Sequence, residues 1–371
     1  MEIIGIVAEY NPFHNGHVYH INKIKEMYPD SLIILVLNGY FLERGEISIM
    51  SVENKTKLAL LNNVDVVIEL PFIFGTNSAD IFADASMELL NELKVNKVIF
   101  GSESNDIEKL TDLAKKQIDN EYSDTVKKYL KQGLNYPTAL NKALDTNINT
   151  PNDLLGLSYI KSIIKNKYSI TPISIKRTSD YHDTVSEANI ISASNIREKI
   201  NSNQKIDKYV PSVKYINKVD NDLFFKLLKF KILSDDNLDK YLTVDEGIQN
   251  RLKSVINDCN NLCDLINKTK SKRYTYNRIN RMFIHILIGL TKSDKEKCIK
   301  NEYVRLLGFN KRGKNYINSI KKDTNLKIVS SLKNINSVIK DYDVKAYNIY
   351  NLLVNEYVLN FENSNKPVQI D

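Results

Sequence analysis

Short apolar runs alternate with helix-like patterns through the first half of the chain. Apolar runs of about four to eight residues predict buried strands, whereas apolar positions repeated every three or four residues predict amphipathic helices. The runs that predict strands are 3–8, 32–37, 64–70, 97–100 and 169–176. The segments that predict helices are 17–27, 52–61, 79–93, 151–164 and 192–200. Strands that alternate with helices indicate a parallel sheet with helices on both faces.

The polar loops after these strands are expected to converge on one crevice, because ligands of parallel sheets bind at the carboxyl ends of the strands. The loops are 9–17, 38–44, 71–78 and 101–105. From about residue 205 the pattern is mostly helical. We therefore expect an α/β domain over residues 1–200 and a mainly helical region over residues 201–371.

The net charge changes sign between these two parts. Residues 1–200 contain 21 Lys and Arg against 26 Asp and Glu, whereas residues 201–371 contain 31 against 19, and the whole chain carries +7. This asymmetry favours a small-molecule domain followed by a region that binds a polyanion such as a nucleic acid. A lysine-rich surface from biased composition is the alternative, but uniform bias does not explain the change of sign.

Other classes of protein are disfavoured by the sequence. No apolar run approaches the ~20 residues of a membrane span. The first residues lack the basic segment and hydrophobic core of a signal peptide. The three cysteines, at positions 259, 263 and 298, have no zinc-site spacing. We expect a cytoplasmic protein with free thiols and no membrane partner.

The loop after the first strand carries His14-Asn15-Gly16-His17 at the start of a predicted helix. A helix N-terminus favours anions, and imidazoles there can donate hydrogen bonds as charge develops on phosphate. His14 and His17 are therefore the candidate catalytic residues. A metal site is the competing interpretation, but the loop lacks a clear third ligand. Later, Ile191-Ser-Ala-Ser-Asn-Ile-Arg197 combines a helix start, hydroxyls and an arginine, which together suit phosphate.

The two motifs together resemble those of the nucleotidylyltransferase superfamily, which is related to class I aminoacyl-tRNA synthetases. Further segments resemble one family within it, the bacterial tRNA(Met) cytidine acetate ligases. These segments include Gly-Ile-Val-Ala-Glu-Tyr-Asn-Pro-Phe-His at 5–14, Phe-Leu-Glu-Arg-Gly-Glu at 41–46, Asp-Val-Val-Ile-Glu-Leu-Pro-Phe at 65–72, Phe-Gly-Ser-Glu-Ser at 100–104, and Ile-Lys-Arg at 175–177 with Tyr-His-Asp at 181–183. The resemblance covers essentially the whole chain.

The resemblance implies a Rossmann-like fold and a two-step reaction. ATP and acetate would form acetyl-adenylate and pyrophosphate, with Mg²⁺ offsetting repulsion among the phosphates. The acetyl group would then pass to N4 of the wobble cytidine of elongator tRNA(Met). The implied ATP-binding residues are Val7, Ala8, Glu9, Tyr10, Asn11, Pro12, Phe13, His14, Asn15, Gly16, His17, Val18, Tyr19, His20, Gly101, Asn152, Arg177, Ser194 and Arg197.

Several of these assignments have plainer alternatives. Gly101 can serve a turn, Asn152 can cap a helix, and Arg177 can pair with a surface carboxylate. Arg44 can meet phosphate or RNA or form a loop ion pair, and His182 with Asp183 can line the crevice or brace each other. The stretch 51–55 also departs from the family, which often has an Asp-Lys pair with a following Arg there. A phosphate role for Lys55 is therefore open.

The second half contains a candidate RNA-binding segment. Between Lys268 and Lys300 there are ten basic residues and two acidic ones. The candidate RNA-binding residues are Lys272, Arg273, Tyr274, Arg278 and Arg281, with Tyr274 and Tyr276 placed for base stacking. A second basic cluster contains Lys311, Arg312, Lys314, Lys321 and Lys322. A solvated cationic face is the alternative interpretation of both.

Two other functions compete with the acetate ligase. A nucleotidylyltransferase acting on a small phosphorylated metabolite shares the ATP motifs but leaves the basic half without a role. A tRNA-binding protein with a relic nucleotide pocket is disfavoured because His14, Gly16, His17 and Arg197 are all present.

Overall fold

A computed structural model describes residues 1–134, 136–144, 150–177, 189–354 and 366–371. The strands are β1 (Ile3–Ala8), β2 (Leu32–Asn38), β3 (Val66–Leu70), β4 (Lys97–Ser102), β5 (Thr171–Lys176), β6 (Tyr303–Phe309), β7 (Lys327–Val329) and β8 (Val368–Gln369). All form one sheet of order β5-β4-β1-β2-β3-β6-β7, in which β8 pairs with β6. Neighbours from β5 to β3 run parallel, and β6 is antiparallel to β3.

Helices connect the strands and cover both faces. They are α1 (Asn15–Met27), α2 (Val52–Leu61), α3 (Phe72–Gly75), α4 (Ala79–Glu92), α5 (Ile107–Ile118), α6 (Asn120–Lys131), α7 (Tyr136–Leu144), α8 (Pro151–Asn166), α9 (Ala193–Asn201), α10 (Asn221–Ser234), α11 (Ile248–Val255), α12 (Leu262–Thr269), α13 (Tyr276–Ile288), α14 (Lys292–Lys297), α15 (Lys311–Ile320) and α16 (Val338–Leu353). The predicted α/β class, with a parallel sheet followed by a mainly helical region, is confirmed.

The central strands are apolar because both faces of the sheet are covered. Every residue of β2 is buried, and its register pairs Ile3 of β1 with Leu32 and Ala8 with Leu37. The carboxyl ends of β1, β2 and β4 therefore lie side by side. In the part of the chain that the structure describes, no helix combines the length and apolarity needed to cross a membrane.

The strand β6 was not predicted, since the pattern after residue 205 indicated helices. Its seven residues, Tyr303–Phe309, extend the sheet beyond β3, so part of the basic half belongs to the same sheet as the acidic half. Arg305 of β6 is 5% exposed and donates to Glu69 Oε2 of β3 at 2.6 Å. This buried ion pair joins the two halves inside the core.

Candidate active site

A cavity of about 1010 Å³ opens at the carboxyl ends of β1 and β4. Its walls come from the loop after β1, the loop after β2, the first turns of α8 and α9, and the first turns of α13. The predicted convergence of loops on one crevice therefore includes a wall from the basic half. Because α13 reaches the same cavity as the His14 loop, residues of both the acidic and the basic parts of the chain line it.

The two histidines of the loop are held by the first turn of α1. His14 is the N-cap, and its Nδ1 accepts a hydrogen bond from Gly16 N at 3.0 Å. The Nδ1 of His17 accepts in return from His14 N at 3.2 Å. The rings stack with centroids 3.8 Å apart. Since each Nδ1 accepts a backbone N–H, each neutral ring carries its proton on Nε2 and is a donor there.

Burial keeps these imidazoles uncharged. Burial and the charges of Arg177 and Arg197 lower the pKa of His14 to about 3. Burial and the neighbouring histidines His14 and His20 hold the pKa of His17 well below its ordinary value. Both rings therefore act near neutral pH as preorganised N–H donors that bring no charge of their own. Such donors stabilise negative charge that grows during a reaction.

Gly16 and Gly101 sit in different surroundings. A Cβ added at Gly16 would lie 2.7 Å from Cε1 of His14, so a side chain there would displace the ring. A Cβ at Gly101 would meet Arg177 Cγ at 3.5 Å, which is an ordinary contact. Packing therefore requires glycine at position 16, whereas at position 101 it does not.

The start of α9 forms a second part of the site. Ser192 caps the helix by accepting from Asn195 N at 3.2 Å, and Ser194 lines the cavity. Arg197 donates to the carbonyl of Asn11 at 2.7 Å and pairs with Glu46 Oε2 at 2.8 Å. The structure thus brings the two motifs together, and Arg197 is tied to the loop that carries the histidines.

Asn152 and Arg177, which both line the cavity, meet at the carboxylate of Glu103. Asn152 Nδ2 donates to Glu103 Oε1 at 2.5 Å, and Arg177 Nε lies 3.8 Å from the same oxygen. The alternative in which Asn152 caps α8 is wrong, since the N-cap is Thr150. The surface ion pair considered for Arg177 is instead a half-buried one at the cavity.

Most of the loop 7–20 lines the cavity, but some of its residues serve the fold instead. Pro12, Phe13, Asn15 and Val18 do not line the cavity in this fully described loop. Phe13 is completely buried and packs edge-on against Tyr10, with centroids 4.7 Å apart. Asn15 donates to the carbonyl of Lys208 at 2.8 Å. Direct ligand contact by the side chains of Phe13 and Asn15 is therefore not supported.

Lys55 does not lie in the cavity. It is completely buried, and its Nζ donates to the carbonyl of Gly39 at 2.7 Å and to that of Asn38 at 3.3 Å. Its pKa is lowered to about 7, because burial outweighs the opposing effect of the negative charge of Glu9. Lys55 thus holds the carboxyl end of β2, which answers the open question about a phosphate role.

The candidate RNA-binding residues divide into two groups. Arg273, Arg278 and Arg281 line the cavity, and Lys272 is exposed nearby. Tyr274 is 3% exposed, its hydroxyl donates to the carbonyl of Asp245 at 2.8 Å, and the guanidinium of Arg278 covers its ring at 4.1 Å. The base-stacking role expected for Tyr274 is wrong, because neither face of its ring is available.

The second basic cluster lies away from the cavity. Arg312 donates to the carbonyls of Asp30 and Ser31, which precede β2. A Cβ on Gly313 would lie 2.1 Å from the carbonyl oxygen of Asp65, just before β3. These contacts lie at the amino ends of the strands, so this cluster faces away from the crevice.

The cavity residues that sequence reasoning missed include two acidic residues of the turn 41–46 and one tyrosine. Glu43 and Glu46 belong to the motif Phe-Leu-Glu-Arg-Gly-Glu, in which only Arg44 was considered, and Tyr159 follows the motif around Asn152. All three line the cavity.

His182 and Asp183 lie outside the described residues. Among the described residues, no three His, Cys, Asp or Glu side chains converge as a metal site.

Comparison with known proteins assigns the chain to a family. The family described as HIGH Nucleotidyl Transferase matches residues 1–365. A Caldicellulosiruptor saccharolyticus protein named tRNA(Met) cytidine acetate ligase is 37% identical and covers 100% of this chain and 99% of its own. A Clostridium perfringens protein of the same name is 38% identical and covers 95% and 96%.

Solved structures agree with this assignment. Thermotoga maritima TmcAL in its apo form matches at a TM-score of 0.91 with 28% identity, over 100% of both chains. The same protein bound with alpha-thio ATP matches at a TM-score of 0.89 with 28% identity, over 100% and 99%. The chain therefore belongs to the HIGH nucleotidyl transferase family, among the members named tRNA(Met) cytidine acetate ligase.

Proposed function

We propose that this protein activates acetate with ATP and transfers the acetyl group to N4 of the wobble cytidine of elongator tRNA(Met). The observation that carries the proposal is the pair of neutral Nε2–H donors in a cavity that arginines of α13 also line. The names of the relatives support it. Transfer of an adenylyl group to a phosphorylated metabolite would leave the arginines of α13 without a role.

In the first step, an acetate oxygen attacks the α-phosphorus of ATP and pyrophosphate leaves. His14 and His17 donate from Nε2 to the α-phosphate oxygens as their charge rises. Ser194 and Arg197 hold the β- and γ-phosphates at the start of α9. Gly101, Asn152 and Arg177 contact the nucleoside from the ends of β4, α8 and β5. The mixed anhydride is already activated, so no serine or cysteine nucleophile is required.

Mg²⁺ belongs to this proposal as a companion of ATP. The described residues offer no converging set of three acidic or imidazole ligands. The phosphates of ATP would therefore be its main ligands. Its contribution is to reduce the repulsion that acetate meets at the phosphates.

In the second step, the tRNA is held by the basic half, residues 201–371. Lys272, Arg273 and Arg278 provide positive charge at the mouth of the cavity, where phosphate contacts give salt-dependent affinity. Arg281 is more buried and pairs with Glu43. The target base must leave its stack to reach the acyl carbon, as bases of an anticodon loop can. With tRNA and ATP as substrates, we assign the protein to the cytoplasm.

The test uses purified protein, ATP, acetate and total tRNA. We expect exchange of labelled pyrophosphate into ATP only when acetate is present, and N4-acetylcytidine only in elongator tRNA(Met). Exchange that needs a phosphorylated vitamin instead of acetate, or tRNA binding without any acetylation, would contradict the proposal.

The two glycines of the site predict different defects. Gly16→Ala is expected to slow acetate-dependent exchange between about tenfold and a hundredfold, because a new Cβ 2.7 Å from the His14 ring misplaces the donor. Gly101→Ala is expected to leave the melting temperature unchanged and to raise the KM for ATP about tenfold, since its Cβ obstructs only the ligand. Exchange kinetics at varied ATP separate the two, and identical defects would contradict these roles.

A further inference from the structure

The turn 41–46 packs against α13 and forms part of the cavity wall. Gly45, at φ +72°, lies so close to α13 that a Cβ would be 2.3 Å from Arg281 N. Arg281 Nη1 donates to both the carbonyl and the Oε1 of Glu43, each at 3.1 Å. Glu43 N donates in turn to Glu9 Oε1 at 2.7 Å. Glu43 is thus fixed from both sides of the cavity.

One carboxylate oxygen of Glu43, Oε2, is available to a ligand. Its side chain is 20% exposed and lines the cavity. Arg281 occupies Oε1, and among the described residues none donates a hydrogen bond to Oε2. The neighbouring carboxylates have partners of their own, since Glu46 Oε2 pairs with Arg197 at 2.8 Å and Glu9 Oε1 accepts from Asn38 Nδ2 at 2.8 Å and from Glu43 N at 2.7 Å.

The ionisation of Glu43 suits proton transfer near neutral pH. The pKa of Glu43 is raised to about 7, because burial and the charges of Glu9 and Glu46 outweigh the opposing charges of Arg281 and Arg44. The histidines are unsuited to accept a proton, because the Nδ1 atoms of His14 and His17 already accept backbone N–H groups.

An independent observation points to a ligand at the same place. Tyr159 is 2% exposed and lines the cavity, yet its buried hydroxyl has no hydrogen-bond partner among the described residues. Its ring packs edge-on against Phe100, with centroids 5.8 Å apart. Burial, followed by the nearby charges of Glu9 and Glu43, raises the pKa of this phenol, which therefore stays a donor.

These groups match the Watson–Crick edge of cytosine. That edge presents an N4 amine donor beside the N3 and O2 acceptors. Carboxylates accept from cytosine N4, and extruded bases are recognised by such edge contacts. We propose, on the basis of the function proposed above, that Glu43 binds the N4 amine of the target cytosine and takes its proton, while the Tyr159 hydroxyl donates to the ring edge.

The proton balance of the step is simple. The N4 lone pair attacks the acyl carbon of acetyl-adenylate and forms the C–N bond. Glu43 takes one N4 proton as its carboxylate becomes a carboxylic acid. The tetrahedral intermediate then collapses, the bond from the acyl carbon to the phosphate oxygen breaks, and AMP leaves with that electron pair. Glu43 returns its proton to water after the product departs.

The experiment measures the two half-reactions separately. Acetate-dependent pyrophosphate exchange reports the first. Single-turnover transfer from enzyme-bound acetyl-adenylate to tRNA, followed from pH 6 to 8.5, reports the second. The variants are Glu43→Gln, Tyr159→Phe and the control Glu198→Gln, which removes the same charge from the exposed surface of α9.

We expect Glu43→Gln to retain exchange within about threefold and to lose transfer about a hundredfold. Wild-type transfer should fall as the pH drops through 7, because the carboxylate is the active form, and this dependence should vanish in Glu43→Gln. Tyr159→Phe should lower transfer about tenfold with exchange intact. Glu198→Gln should match the wild type.

Normal transfer by Glu43→Gln, or equal losses in both half-reactions, would overturn the proposal and leave Glu43 a structural clamp for α13. If Glu43→Gln does not fold, wild-type transfer that is constant from pH 6 to 8.5 would overturn it as well. A wild-type enzyme without acetate-dependent exchange would instead refute the proposed function itself.

Discussion

Replacement of His14 by asparagine is expected to slow acetate-dependent pyrophosphate exchange about a thousandfold while leaving the protein folded. The loss follows from removing an Nε2–H donor preorganised toward developing phosphate charge, an effect of about this size in other sites. The fold should persist because an asparagine oxygen at the N-cap can accept from Gly16 N, as His14 Nδ1 does at 3.0 Å. The measurement is the exchange rate, with thermal melting of the same samples.

His14→Ala separates the two tasks of this side chain. It removes both the donor and the cap, so we expect the same loss of exchange together with about 1 kcal/mol lower stability. If His14→Asn were as active as the wild type, the ring would matter only as a helix cap. The catalytic assignment of His14 would then be wrong.

Replacement of Arg197 by alanine is expected to lower kcat/KM for ATP about a thousandfold. An arginine on transferring or departing phosphates typically contributes a factor of this order or more. In the described structure, two contacts orient Arg197: its Nη1 donates to the Asn11 carbonyl at 2.7 Å, and its Nη2 pairs with Glu46 Oε2 at 2.8 Å. The phosphates compete with Glu46 for this guanidinium when ATP binds, and exchange kinetics at varied ATP measure the effect.

Two further variants make this result interpretable. Arg197→Lys keeps the charge but loses the planar fork, so we expect an intermediate loss. Arg251→Ala is the matched control, because Arg251 is exposed and its Nε donates to the carbonyl of Lys268 on the surface. A loss in Arg197→Ala that appears solely as a lower melting temperature would indicate that Arg197 only braces the loop.

Local patterns predicted most of the parallel sheet. The strand expected at 3–8 is β1 (Ile3–Ala8), and the helix expected at 52–61 is α2 (Val52–Leu61). These segments are short, strongly apolar or strongly periodic, and are bounded by polar loops, so neighbouring residues suffice to specify them. The family resemblance is confirmed by the comparisons over essentially the whole chain.

Predictions failed where a distant contact decides the outcome. Tyr303–Phe309 forms a strand because it pairs with the edge of β3. Residues close to it in the sequence give no indication of this pairing. Tyr274 looked suited to stacking because it stands among basic residues, but its hydroxyl reaches the carbonyl of Asp245 and its ring lies under Arg278. Thr150 caps α8 instead of the residues after it.

The amino-acid sequence was sufficient to specify the alternating strands and helices, the two phosphate motifs and the change in charge, since each depends on residues close together in the chain. The meeting of Glu43 with Arg281, 238 residues away, depends on how α13 packs against the turn 41–46. The neutral state of His14 and His17 likewise depends on burial and on nearby arginines. Desolvation and long-range contacts arise only when the chain is packed, so only the tertiary structure decides which charges the site carries.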